Sequence, residues 1–305
     1  MKTINTVSII GHGALGMLYG KFIQEGIGFD NTSFIMDRNR YERNIHTEFI
    51  CNGEKAEYHF VPVDEAKPAD LVIVAVKSPS MDSALETMAP CVGDNTIIMS
   101  VMNGIASEGI LAEKFGSEKL IYTVAQGMDS GKIGNELKYT KIGELHLGLS
   151  EDGQQDNLDA VAELLGKSNL DYVFEDDIMF RMWSKFMLNV GVNQTCMVYD
   201  TTYGDIIAVD EYYRTFIAAM REVVAVANAE GVHLRESDIN FYENIIRTLN
   251  KDLMPSMAQD RINKKPCEVE AFSGTVMKLA KKHNILVPTN EFLNRRAKEI
   301  ESEYV

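Results

Sequence analysis

A chain of 305 residues with 45% hydrophobic content is long enough for two cores and has a globular composition. Its formal net charge of -15 at pH 7 argues against nucleic acid and anionic membrane surfaces as partners, because the long-range field repels both. The longest apolar runs, such as Leu71 to Val76, are too short to span a bilayer, and the N-terminus enters a strand pattern with no signal-peptide apolar region.

The expected location is therefore the cytoplasm. Cys51, Cys91, Cys196 and Cys267 are widely spaced and form no CxxC pair, so they are expected as buried free thiols, with no disulfide framework and no metal site.

In chain order, the apolar run Val7 to Ile10 empties into Gly11-His12-Gly13-Ala14-Leu15-Gly16, and Leu15, Leu18, Tyr19, Phe22 and Ile23 then carry helical periodicity. Strand, glycine turn and helix are the context of a dinucleotide-binding loop. Gly11 suits the tight turn, Gly13 lets the backbone approach a pyrophosphate, and Gly16 lets the helix pack on the strand. Helix N-terminal amides then face the phosphates.

Further strands are expected at Ser33 to Met36, Leu71 to Val76, Thr96 to Val101 and Leu120 to Val124, with helices beginning near Pro79 and Ile105. Asn52-Gly53, between extended stretches from Phe49 to Val63, signals a hairpin. Tyr139 to Leu149 reads as antiparallel strands appended to the sheet edge, followed by a helix from Gln155 to Gly166 and a strand at Tyr172 to Phe174. The pattern predicts a Rossmann-like α/β domain over 1–172 with appended antiparallel strands, then an all-α domain over 173–305.

Helices in the second domain are expected at Ile178 to Asn193, Glu211 to Glu230, Ser237 to Asn250, Glu268 to His283 and Thr289 to Glu301. Gly231 should end one, while Ser237 and Thr289 should start others. Apolar residues on several faces of Phe216 to Val226 point either to a buried core helix or to a homodimer formed through the helical domain.

Within Ile178 to Asn193, the polar residues Lys185, Asn189 and Asn193 recur every four positions. Each step turns only about 40° around a helix, so they form one polar stripe on an otherwise apolar helix. Asparagine is a poor helix former, and burying an ammonium with two amides is costly unless they line a cleft or meet partners. A lysine so placed can hydrogen-bond a ketone oxygen and protonate it as hydride arrives, while asparagines hold substrate oxygens without adding charge.

Lys77 and Asn103-Gly104 follow two sheet strands, where parallel sheets place ligand groups. Asp37, Arg38 and Arg40 stand at the expected end of the second strand. An acid there pairs with a ribose 2′-hydroxyl and selects NAD, whereas an arginine accommodates the 2′-phosphate of NADP. This sequence offers both.

The ordered set of the glycine loop, Lys77, Asn103-Gly104, Trp183-Ser184-Lys185-Phe186 with Asn189 and Asn193, Ser256-Met257-Ala258-Gln259-Asp260, and Glu268-Val269-Glu270 resembles the ketopantoate reductase (2-dehydropantoate 2-reductase) family over nearly the whole chain. The resemblance implies reduction of 2-dehydropantoate to (R)-pantoate with NADPH, on the route to pantothenate and coenzyme A. It implies that Lys185 is the general acid and that Glu268 helps order the site. Asn103, Asn189, Asn193 and Ser256, with Lys185 and Glu268, would contact substrate. Gly11 to Gly16, Asp37, Arg38, Lys77 and Asn103 would contact cofactor, with NADP(H) favoured through Arg38 and NAD(H) the alternative.

Three departures stand out: Asp37 directly before Arg38, Met102 where a glutamine often precedes Asn-Gly, and a long Gly26 to Ser33 loop. The competing readings are a related reductase of another 2-oxo acid, a β-hydroxyacid dehydrogenase, and a dinucleotide-sensing protein without turnover. A sensor would have no use for the proton donor that Lys185 supplies.

Overall fold

The computed structural model describes residues 2–304, which divide into two compact units. The first runs to Met102 and resumes over Ser107–Ile178; the second comprises Asn103–Ala106 and the chain from Met179 onward. The division falls after Ile178 rather than at 172/173, because the last strand still completes the sheet of the first unit and Gly148 packs closely on Ile178.

In the first unit, β1 (Val7–Ile10) leads to α1 (Ala14–Ile27), and β2 (Thr32–Met36) to α2 (Arg38–Asn44). β3 (Phe49–Cys51) and β4 (Glu54–Ala56) form the hairpin across Asn52-Gly53, whose φ angles of 49° and 84° are the left-handed pair that such a turn needs. β5 (His59–Pro62) leaves that hairpin and pairs in parallel with β2. Next come β6 (Leu71–Val74), α3 (Met81–Met88), β7 (Ile97–Ser100), α4 (Ser107–Phe115), β8 (Leu120–Gln126), β9 (Gly131–Ile133), β10 (Glu136–Lys138), β11 (Glu144–Leu149), α5 (Gln155–Lys167) and β12 (Asp171–Phe174).

The main sheet has the order β12-β11-β8-β7-β6-β1-β2-β5, parallel from β5 through β8. β11 is antiparallel to β8, with β12 parallel to β11. Every residue of β1, β6 and β7 is buried, as expected of central parallel strands covered on both faces.

Only Glu144–Leu149 of the expected antiparallel region joins the sheet. The backbone N–H groups of Thr140 and Lys141 donate instead to the Asp129 carboxylate at 2.7 Å, which holds that stretch as a loop. The antiparallel pair absent from the sequence reading, β9 and β10, turns at Gly134 (φ 59°) and builds a second sheet of order β4-β3-β10-β9.

The second unit is helical: α6 (Ile178–Tyr199), α7 (Tyr203–Ala208), α8 (Asp210–Ala229), α9 (Glu236–Thr248), α10 (Ser256–Ile262), α11 (Thr275–His283) and α12 (Pro288–Ser302). α6 outruns its expected end at Asn193 because Gln194 to Val198 are all buried, and it stops where Asp200 turns left-handed (φ 53°). Gly231 follows α8 at φ 88°, with Val232 N donating to Ala227 O at 2.9 Å, the anticipated glycine stop.

Ser237 and Thr289 lie inside first turns and are not the caps expected. The Asp238 carboxylate takes the Arg235 N–H at 2.7 Å, and Glu222 of α8 takes the N–H groups of Thr289 and Asn290 at 2.7 and 2.9 Å. α8 buries Phe216, Ile217, Ala219, Met220, Val223, Val226 and Ala227, so its broad apolar face serves this unit's own core. α6 approaches α8 closely at Gly191, where a Cβ would fall 2.6 Å from Met220 Cγ.

Cys51, Cys91, Cys196 and Cys267 are buried free thiols, and burial pushes those of Cys196 and Cys267 up to about 12. Among the described residues, no helix is long and apolar enough to cross a membrane.

Candidate functional site

The glycine loop is shaped by two different demands. Gly11 has φ 112°, and a Cβ there would collide with the Ala75 carbonyl; a Cβ on Gly16 would collide with the Gly11 carbonyl. The fold itself therefore requires both glycines. Gly13 differs: its φ is -87°, and a Cβ there would meet only Ala75 O, at 3.9 Å. Nothing inside the chain excludes a side chain at Gly13, so the open space suits a ligand backing closely onto the main chain.

Gly13 also caps α1, with Met17 N donating to Gly13 O at 2.9 Å, and Ala14 to Gly16 form the first turn, where backbone N–H groups lack helical acceptors. Open cradle, helix N-terminus and position after a central parallel strand together fit a pyrophosphate.

The His12 side chain is built into the protein. Its ring sits edge-on to Phe34, Phe49, Tyr58 and Phe60, with centroids 4.7 to 5.0 Å away. Burial in this cage, reinforced by the nearby Lys132 charge, pulls the imidazole down to about 3, and Nε2 is buried without a hydrogen-bond partner. His12 can thus reach a cofactor only through its backbone. Its carbonyl accepts a hydrogen bond from Lys132 Nζ at 2.7 Å, so β9 of the small sheet braces the loop.

At the far end of β2, Asp37 begins α2 and accepts the Arg40 N–H at 2.9 Å, with Arg40 Nε 3.2 Å from its other oxygen. Arg38, expected to face a 2′-phosphate, is held instead by the carboxylates of Asp64 and, at 2.9 Å, Glu65. Lys77 is exposed three residues beyond β6, which ends at Val74 rather than Val76; its carbonyl accepts from Ser80 N at 2.8 Å.

In the second unit, the α6 stripe has its predicted spacing. Asn189 and Asn193 are buried and Lys185 is partly so, flanked by buried Trp183, Ser184, Phe186 and Met187. Lys185 Nζ donates to Asn103 Oδ1 at 3.0 Å. Two candidates 82 positions apart are thereby brought together.

Glu268 is buried just before a π-helical turn, Glu270–Gly274, that interrupts the helix expected from 268 to 283. Gln194 of α6 explains the interruption: its Oε1 accepts the Ser273 N–H at 3.2 Å, while Asn294 of α12 donates to Ser273 Oγ at 3.1 Å. Wide turns of this kind recur at functional sites. Ser256 is the exposed first residue of α10, after Pro255.

Sequence reasoning missed Lys132 and Gln194. The Gly131-Lys132-Ile133-Gly134-Asn135 stretch carried a hairpin signal for the first. A glutamine on the apolar side of α6 was the only hint of the second.

Two family models match the chain: Ketopantoate reductase PanE/ApbA over residues 7–152, and its C-terminal counterpart over residues 177–301. The 2-dehydropantoate 2-reductase of Streptococcus pyogenes is 25% identical over 289 residues, covering 92% of this chain and 93% of the relative. A D-mandelate dehydrogenase solved with NADH and anilino(oxo)acetate shares the fold at TM-score 0.88 and 21% identity, over 98% of this chain and 99% of that one. A dimeric ketopantoate reductase from Staphylococcus aureus does so at TM-score 0.83 and 19% identity, over 98% and 100%. A glycine cradle on a parallel sheet, a lysine-bearing helical unit and both family models lead to one conclusion: the chain belongs to the ketopantoate reductase family.

Proposed function

We propose that this protein reduces the C2 ketone of 2-dehydropantoate to (R)-pantoate, a step toward pantothenate and coenzyme A. The observation that carries the reading is the Lys185–Asn103 hydrogen bond on a stripe whose other members, Asn189 and Asn193, are buried polar groups on an apolar helix. The reduced nicotinamide dinucleotide supplies a hydride from C4 when bound.

Lys185 Nζ holds the ketone oxygen and passes it a proton as negative charge develops, so hydride and proton together make the secondary alcohol. Asn103 fixes the ammonium. Asn189, Asn193 and Ser256 bind the substrate's remaining oxygens, and Glu268 orders the site. Gly11 to Gly16 hold the pyrophosphate through backbone N–H groups, and Lys77 approaches the cofactor. An anionic substrate also accords with a local ammonium in a protein of net charge -15.

The family's curated members support this substrate by name. A homodimer belongs to the same reading, supported by the dimeric S. aureus relative; scattering mass at several concentrations tests it. The decisive experiment measures initial rates across a panel of 2-oxo acids with both reduced dinucleotides. Highest kcat/KM for 2-dehydropantoate supports the assignment, and no preference for it overturns the substrate while leaving a 2-oxo acid reductase. Dinucleotide binding without oxidation across the panel would favour a sensor.

A further inference from the structure

The ends of β2 and β5 bear on which dinucleotide binds. These strands are parallel neighbours in register, with Met36 opposite Pro62. Their carboxyl ends therefore lie at the same edge of the sheet, beside the carboxyl end of β1 that carries the glycine loop.

Asp37 follows β2 directly, about 20 residues beyond the glycine loop, the position from which an acid reaches the adenosine ribose in such sheets. Asp64 and Glu65 lie in the turn that follows β5. Both hold Arg38, and Asp37 holds Arg40. Three exposed carboxylates thus face two guanidinium groups, each already paired.

Building on the proposed reductase function, we infer that this site selects NADH over NADPH. Asp37 accepts hydrogen bonds from the ribose hydroxyls: a carboxylate has about four lone-pair sites, and its exposed oxygens retain capacity beyond the Arg40 contacts. A 2′-phosphate carries up to about two negative charges and would have to take Arg38 from two carboxylates while lying beside Asp37.

Each exposed ion pair is weak by itself. The discrimination comes from the fixed charges, which oppose the phosphate both before and after Arg38 swings, in a protein whose overall field has the same sign. The position of Arg38 alone would suggest a phosphate partner; β5 supplies the acids that engage it.

Isothermal titration calorimetry of the protein with NADH and with NADPH tests this directly. The expected result is an NADH Kd lower by about tenfold or more. Because Asp64 and Glu65 are exposed, the double variant Asp64→Asn/Glu65→Gln should keep the fold, and it should tighten NADPH about tenfold while leaving NADH unchanged. Asp37→Ser should weaken NADH and narrow the ratio.

Equal affinities, or tighter NADPH, in the wild type would overturn the inference and leave the reductase reading standing. Binding of neither dinucleotide would overturn both. Unchanged NADPH affinity in the double variant would overturn the assigned role of Asp64 and Glu65.

Discussion

The glycine loop and the α6 stripe present their polar groups by opposite means. The loop presents backbone and buries its one functional-looking side chain, His12, in an aromatic cage. The stripe presents side chains and buries its backbone in a helix whose apolar residues fill the core of the second unit. The loop's geometry depends on distant groups that hold it, namely Lys132 and the rings around His12. The stripe's geometry is set by helix periodicity, with Asn103 orienting its lysine.

The comparison breaks most sharply at Lys185. Lys185→Ala should lower kcat by about 10²- to 10⁴-fold, the usual worth of a positioned proton donor. Dinucleotide affinity by calorimetry should be unchanged, since the loop belongs to the other unit. Steady-state rates near wild type would remove Lys185 from the mechanism.

A smaller effect is expected at Gln194. Gln194→Leu leaves the Ser273 N–H buried without its acceptor, costing about 1–3 kcal/mol. It should lower Tm by several degrees. If the π-helical turn positions Glu268, kcat should also fall by roughly tenfold while dinucleotide binding holds. A lower Tm with unchanged kcat would make the turn a packing feature only.

What was legible beforehand follows the same division. Features fixed by local chemistry were readable: the Gly11 to Gly16 turn, the Asn52-Gly53 hairpin, the Gly231 stop and the four-residue spacing of Lys185, Asn189 and Asn193. Features set by distant partners were not. β5 joins the main sheet through pairing with β2, the π-helical turn needs Gln194 from another helix, and Arg38 meets acids 26 and 27 positions away. α9 and α12 each start one residue earlier than expected; the Asp238 carboxylate takes the N–H of Arg235, just before α9, and Glu222 takes those of Thr289 and Asn290, so neither the Ser237 nor the Thr289 hydroxyl serves as the cap.

The cage around His12 gives a pH test. The folded imidazole titrates near 3 and the unfolded one near 6.5, so across that interval the unfolded chain binds more protons. This contribution to stability is therefore complete above about pH 6.5 and declines as pH falls toward about 3. His12→Phe keeps an aromatic ring and removes the titration. Its urea midpoint should lose part of the wild-type decline between about pH 7 and pH 4.5; identical slopes would mean that His12 is protonated in the folded cage.

The mildest test separates the loop from its brace. Lys132→Met keeps an unbranched chain but removes the ammonium, which bonds the His12 carbonyl and stands 5.8 Å from the centre of the Phe49 ring. One such hydrogen bond is worth about 0.5–1.5 kcal/mol net, so dinucleotide Kd should rise about two- to tenfold, with kcat at saturating cofactor unchanged. Lys132→Arg, which retains a donor, should recover most of the affinity. An unchanged Kd in the methionine variant would mean that Gly11, Gly16 and the aromatic cage hold the loop unaided. A loss in kcat at saturation would mean that the brace also governs how the dinucleotide presents its hydride.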